Sequence, residues 1–250
     1  FSLVGLSGLD KTSGWEIGGW TDMAYYNNNI PLSQSFDDLL SFDDIPDRFN
    51  LAQQWFYLGK VADGSAGLDI GGRVDLIYGT DAQKSQAFGN PGAGVRNSGF
   101  YDASLDHGYY GWAIPQSYLE VATGDLSTKI GHFFTPLGYE VIAATGNFFH
   151  SHSYTMFNSE PFTHTGVLST YSVSEDTKIY NGYVMGWDSG FDDNGDAWLT
   201  GITTNVTENT SFTYGLVLGR FGARSANEAG EMHSIIVTTK LSEKLTHVFW

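Results

Sequence analysis

Few groups in this chain are spaced for chemistry. His150, His152 and His164 with Glu160 could be read as a metal site, because His-x-His on a strand puts both rings on one face, which zinc tolerates. The plainer reading is polar rings in a loop that hydrogen-bond to backbone. Nothing fixes a ligand geometry, so that reading is the stronger one. The segment Asp188–Asp196 reads DSGFDDNGD, with Asp192, Asn194 and Asp196 alternating as in a calcium loop. The glycine stands at the wrong position and the distal glutamate is missing, so a solvated acidic loop accounts for it better than a weak divalent-cation site. No metal and no cofactor is expected. Cysteine is absent, which excludes a disulfide framework, a thiolate metal site and a cysteine nucleophile. There is no G-x-S-x-G, no H-E-x-x-H and no phosphate loop, and no spacing selects a carboxylate pair, so the chain does not read as an enzyme.

The remaining chemistry is charge held in a pattern, and the pattern belongs to strands. Read for period two, the chain yields about eleven strands: 15–26, 49–61, 68–78, 114–123, 126–133, 163–173, 177–187, 197–206, 211–221, 231–241 and 245–250. The third is the cleanest. Leu68, Ile70, Val74, Leu76 and Tyr78 point one way, and Asp69, Gly71, Arg73 and Asp75 the other. Short connections at 62–66, 124–125, 174–176, 207–210 and 242–244 alternate with long ones at 27–48, 79–113, 134–162, 188–196 and 222–230. In an up-and-down meander alternate connections lie at the same end of the sheet. One end therefore carries tight turns and the other long loops, the layout of outer-membrane barrels and not of a Greek-key sandwich.

Composition agrees. The chain has 250 residues, 31 glycines, 15% aromatics and only 16% charged residues, against about 25% charged in ordinary soluble domains. No run of 18 apolar residues is available for a transmembrane helix, but a barrel strand needs only about 9–11 alternating residues. A net charge of −16 argues against nucleic-acid binding and suits a surface or lumen that attracts cations. One all-β domain over 1–250 is expected, an antiparallel transmembrane β-barrel. Eleven strands is an odd number and the last is short, so the wall is expected to be incomplete in this chain.

Two stretches are long and unusual: GHFFTPLGYE, and FFHSHSYTMFNSEPFTHTG within Lys129–Tyr171. With YGWAIPQSYLEV at Tyr110–Val121, GYVMGWDSGFDD at Gly182–Asp193 and GGRVDLIYGTDAQ at Gly71–Gln83, they span about half the chain. Together they resemble the putative β-barrel porin-2 family of bacterial outer-membrane proteins. The resemblance implies a porin-type barrel in the outer membrane. It implies no solute and no catalytic residue.

In such a wall, Arg or Lys on the lipid side at the midplane costs about 2–4 kcal/mol. Asp69, Arg73, Asp75, Glu120, Lys129 and Lys178 are therefore expected to face the lumen, where they line the pore or merely pair and solvate one another. Arg220 shares a face with Phe212, Tyr214, Leu216 and Leu218 at the loop end. It is expected to snorkel to anionic headgroups, lipopolysaccharide among them. The loop 134–162 has no Lys or Arg and only Glu140 and Glu160 as acids. It is too apolar to wave in water, and long loops in compact domains are usually functional. It is expected to fold into the barrel as a constriction carrying Glu140, His150, His152, Tyr154 and Glu160; packing over the rim or against another subunit stays open. Three functions remain in competition. One is a passive, cation-preferring pore for small hydrophilic solutes. The second is a non-conducting surface barrel whose loops bind a partner. The third is a soluble sugar-binding sandwich. A homo-oligomer is possible on this reading, though nothing marks an interface.

Overall fold

The computed structural model describes residues 14–25, 27, 42–43, 45–87, 102, 106–191, 195–221 and 229–250. Eleven strands form one sheet in the order of the sequence. They are β1 (Glu16–Tyr25), β2 (Phe49–Lys60), β3 (Asp69–Gly79), β4 (Gly111–Thr123), β5 (Leu126–Phe134), β6 (Thr163–Ser172), β7 (Thr177–Val184), β8 (Asp196–Thr207), β9 (Thr210–Arg220), β10 (Ala229–Ser242) and β11 (Leu245–Phe249). Every neighbouring pair is antiparallel. β1 and β11 are the two edges and do not pair with each other. The all-β up-and-down architecture expected from alternation is therefore the one observed. Three strands depart from expectation by more than one residue at the loop end: β4 starts three residues earlier, β10 starts two earlier and β7 stops three earlier. β7 stops because Gly186 turns to φ 111° and Asp188 to φ 50°. The Trp187 and Asp188 amides then leave the ladder for Phe221 O and Thr163 O.

The division into two ends holds, though length alone does not define it. The β2–β3 connection spans 61–68, as many residues as 221–228 between β9 and β10. It is compacted by a 3-10 turn at Gly64–Ala66, with the Asp63 side chain accepting from the Ser65 amide.

The strand pleat separates two faces. Ile17, Phe56, Leu58, Ile70, Val74, Leu119, Ile130, Val167, Ile179, Tyr183, Trp198, Leu218 and Ile235 are all exposed on the outer one. The inner face holds two apolar clusters. Trp55, Ile77 and Ala113 of β2–β4 pack with Phe42, Ile142 and Met156. Phe133, Leu168, Val184, Leu199 and Val217 of β5–β9 pack with Leu137.

The sheet must curl. The Gly138 amide donates to Ser234 Oγ on β10 (3.1 Å) and the Ala144 amide to Gln53 Oε1 on β2 (3.0 Å). Six residues of chain reach about 20 Å at most. In a flat sheet the eight strand spacings from β2 to β10 would need about 38 Å. Side-chain reach at both ends does not close that difference, so β2 and β10 face each other across a hollow.

Candidate functional site

The segment 135–162 between β5 and β6 is a strap across that hollow. It leaves β5 at Thr135, whose amide donates to Phe162 O (3.0 Å), so its two ends are clasped together. Asp188 holds the far end, accepting from the Phe162 and Thr163 amides at 2.6 and 2.9 Å. Burial pushes the Asp188 carboxyl up to about 7. From the clasp the strap runs to β9–β10. There Leu137 fills the space left by Gly215, where any Cβ would come within 2.2 Å of Leu137 Cδ2.

The strap then crosses to β2, and Gln53 receives it. This amide is fully buried and uses all four of its hydrogen-bonding positions. Its Nε2 donates to Ile142 O (2.8 Å) and Asp81 Oδ2 (2.9 Å). Its Oε1 accepts from the Ala144 amide (3.0 Å) and Trp20 Nε1 (3.0 Å). Asp81, just beyond β3, is pushed up to about 7 by burial.

At β1 the strap is latched by charge. His150 Nε2 donates to Asp22 Oδ2 (3.0 Å) and Nδ1 to Asp43 Oδ1 (2.9 Å). Those two hydrogen bonds hold the imidazolium and raise its pKa to about 10. His152 behaves oppositely. It stacks on Phe42 with centroids 4.2 Å apart, reaches Val141 O at 3.0 Å, and burial lowers its pKa. His164 is buried on β6 between Thr135 and Gly186 O. The three histidines thus hold three different seams, and no group of three metal-ligating side chains occurs among the described residues.

The strap's other expected residues divide. Glu140 accepts from the Ser153 amide (2.7 Å) ahead of α1 (Tyr154–Ser159), a short helix that alternation does not foresee, with Ser153 as its N-cap. Glu160 accepts from Trp250 Nε1 (3.0 Å), and burial pushes it up to about 7. Tyr154 is exposed and holds nothing in the hollow.

Below the strap the wall is polar and largely self-paired. Asp75 is fully buried. It accepts from Arg73 Nε and Nη2 at 2.6 and 3.2 Å, from Trp55 Nε1 at 3.1 Å and from Gln116 Nε2 at 3.1 Å. Arg73 also lies over the Tyr57 ring, 4.3 Å from its centroid. Asp69 pairs with Lys60 at 2.7 Å near the tight-turn end. Glu120, Lys129 and Lys178 line one open cavity of about 470 Å³ at that end.

One expectation changes. Asp196 opens β8 instead of closing a loop, and it is held by Arg220 and the Tyr183 hydroxyl. A carboxylate so engaged is a poor cation ligand; Asp192 and Asn194 lie outside the described residues. Arg220 stands at the loop end of β9 as expected, and its guanidinium is engaged by Asp196 on the neighbouring strand, a pairing that the sequence does not foresee.

Sequence reasoning reached the strap through its composition but not its anchors. Gln53, Asp22 and Ser234 are polar residues among other polar residues of their strands. Only their parity, shared with Trp55, Trp20 and Ile236, marks them as inward.

A family model described as putative beta-barrel porin-2, OmpL-like, matches residues 14–249. The chain belongs to this family. No curated protein and no solved structure matches it. As a member of the beta-barrel porin-2 family, the chain presents one face as the outside of a barrel wall and the strapped hollow as its inside. The remaining question is what passes or stays there.

Proposed function

We propose that this protein is an outer-membrane porin, a passive diffusion channel for small hydrophilic solutes whose bore is narrowed by the strap 135–162. One observation carries the reading: polar and charged side chains line the hollow while the outer face exposes an apolar band. Soluble monomers rarely expose more than a few hundred Å² of contiguous apolar surface. An outer face that alternates Ile70, Val74, Leu119, Ile130 and Val167 with inward Arg73, Asp75, Glu120 and Lys129 suits lipid on one side and water on the other. Lipid and lipopolysaccharide are the outer partners on this reading, small solutes the inner ones, and no catalysis is assigned.

The cation preference rests on where the charge sits. The five long connections between the observed strands carry fourteen acids against four basic residues, and the five turns six against one. The remainder of the chain has eight acids and seven basic residues, so nearly all of the net −16 lies in the connections. Acidic mouths concentrate cations at both entrances. Reversal potentials in planar bilayers under a potassium chloride gradient test this. Cation selectivity is expected, and anion selectivity overturns the preference.

A second reading has support from the strap itself, which packs Ile142, Met156 and Leu137 into the hollow. If those clusters close the bore, the protein is a surface barrel whose long loops bind a partner. A folded, purified protein that never conducts establishes that reading against the porin.

A further inference from the structure

The cavity at the tight-turn end holds charge that the wall does not use. Two lysines line it, Lys129 of β5 and Lys178 of β7, with the hydroxyls of Ser127, Thr170 and Ser172 between them. Its acids are Asp63, Glu120 and Asp125. Glu120 stands directly opposite Lys129 across the β4–β5 pair, the position where an ion pair would form. It does not form one. The Glu120 oxygens accept instead from Ser127 Oγ (2.7 Å) and the Ala62 amide (3.2 Å). Asp63 accepts from the Ser65 amide (2.9 Å) within its own turn, and Asp125 sits at the tip of the β4–β5 turn. Lys129 lies over the Tyr118 ring, 4.7 Å from its centroid. That contact holds the ammonium in place and leaves its N–H donors open. Among the described residues neither lysine forms a hydrogen bond or a salt bridge, whereas Arg73, Lys60 and Arg220 all do.

We infer that this cavity is a binding subsite for a small organic dianion, a dicarboxylate or a comparably extended anionic solute. The register sets the size. Lys129 pairs with Leu168 and Lys178 with Ser172, so the two lysines flank β6 four residues apart. At the usual strand spacing and rise, their Cα atoms stand about 16 Å apart. Two lysine side chains reaching inward from that separation meet the two ends of an extended dianion better than one compact phosphate. The intervening hydroxyls of Thr170 and Ser172 supply donors along its length. The inference rests on the inner face being a solute path. It adds to that path a stop for anions at the tight-turn entrance.

The test is equilibrium dialysis of labelled succinate, with inorganic phosphate as a compact comparison, against the full chain folded in detergent. The variants are Lys129→Gln/Lys178→Gln and Lys129→Arg/Lys178→Arg. Saturable succinate binding is expected. The glutamine pair should weaken it at least tenfold, the arginine pair should largely keep it, and phosphate should bind more weakly than succinate. Absence of binding in the parent protein, or unchanged binding in the glutamine pair, overturns the inference. Should the glutamine pair fail to fold, the single variant at the exposed Lys178 decides, since the same loss or retention is read from it. Potassium chloride conductance is measured on the same preparations. A protein that binds succinate but does not conduct sinks the porin reading alone, and one that conducts without binding sinks this inference alone.

Discussion

Replacing Gln53 by Leu should free the strap. The substitution keeps the volume and removes the amide, so four buried or half-buried groups lose a partner at once: Trp20 Nε1, the Ala144 amide, Ile142 O and Asp81. Two of them belong to the strap. At about 1 kcal/mol for each net hydrogen bond, its seating against β2 weakens by about 2 kcal/mol. That is roughly a thirty-fold rise in the unseated population. The two wall groups that stay dry cost about 1–3 kcal/mol each as orphans, so the barrel also loses stability. Gln54→Leu is the control, because Gln54 bonds Thr21 and Trp20 O and does not touch the strap. Single-channel recording is the assay, with limited proteolysis of 135–162 as a second readout. Q53L should show larger or more frequently switching currents and faster cleavage, and Q54L neither. A Q53L channel with parental current amplitude, switching and protease resistance would refute the assignment of Gln53 as the strap's anchor.

The latch should answer to alkali. Because the folded pKa of His150 is raised from 6.5 to about 10, its contribution is complete below about 6.5 and is lost as pH rises through about 10. Strap cleavage should therefore accelerate as pH rises from about 6.5 to about 10 in the parent protein, and His150→Gln should cleave fast throughout with no such rise. Glu160 has linkage of the same sign in a lower window, with burial instead of a partner as the cause. Its folded pKa is raised from 4.5 to about 7, so the charged form is disfavoured and stability falls as pH rises from about 4.5 to about 7. Glu160→Gln keeps an acceptor for Trp250 and should flatten that part of the Tm–pH curve; an unchanged slope would count against burial as the cause. Asp75→Ala leaves Arg73 without its buried partner and should cost about 3–5 kcal/mol, read as a lower denaturation midpoint in urea with the fold retained.

Much of the wall is written locally. Alternation in β3 separates Ile70, Val74 and Leu76 from Arg73 and Asp75, and the pleat puts them on opposite faces. The turn at Gly124–Asp125 and the long interval before Thr163 mark opposite ends of β5 for the same reason. These features depend on a period of two and on neighbouring strands, which a stretch of ten residues contains. Where local chemistry competes with the period, the pattern misleads. Gly186 and Asp188 end β7 early, and Ser153 caps a helix inside the strap that no alternation announces.

What the chain determines by itself is therefore a curtain of antiparallel strands with an apolar outer face, a polar inner one, and charge gathered in its connections. Only the tertiary structure decides which groups meet inside. The partners of Gln53 lie 28, 33, 89 and 91 residues away. Asp22 and His150 are 128 apart. Such contacts depend on how far ten small strand-to-strand rotations curl the sheet, a sum over the whole wall that no local window records. The same sum decides that Lys129, facing Glu120 in register, is left with an aromatic ring and an open cavity instead of a salt bridge.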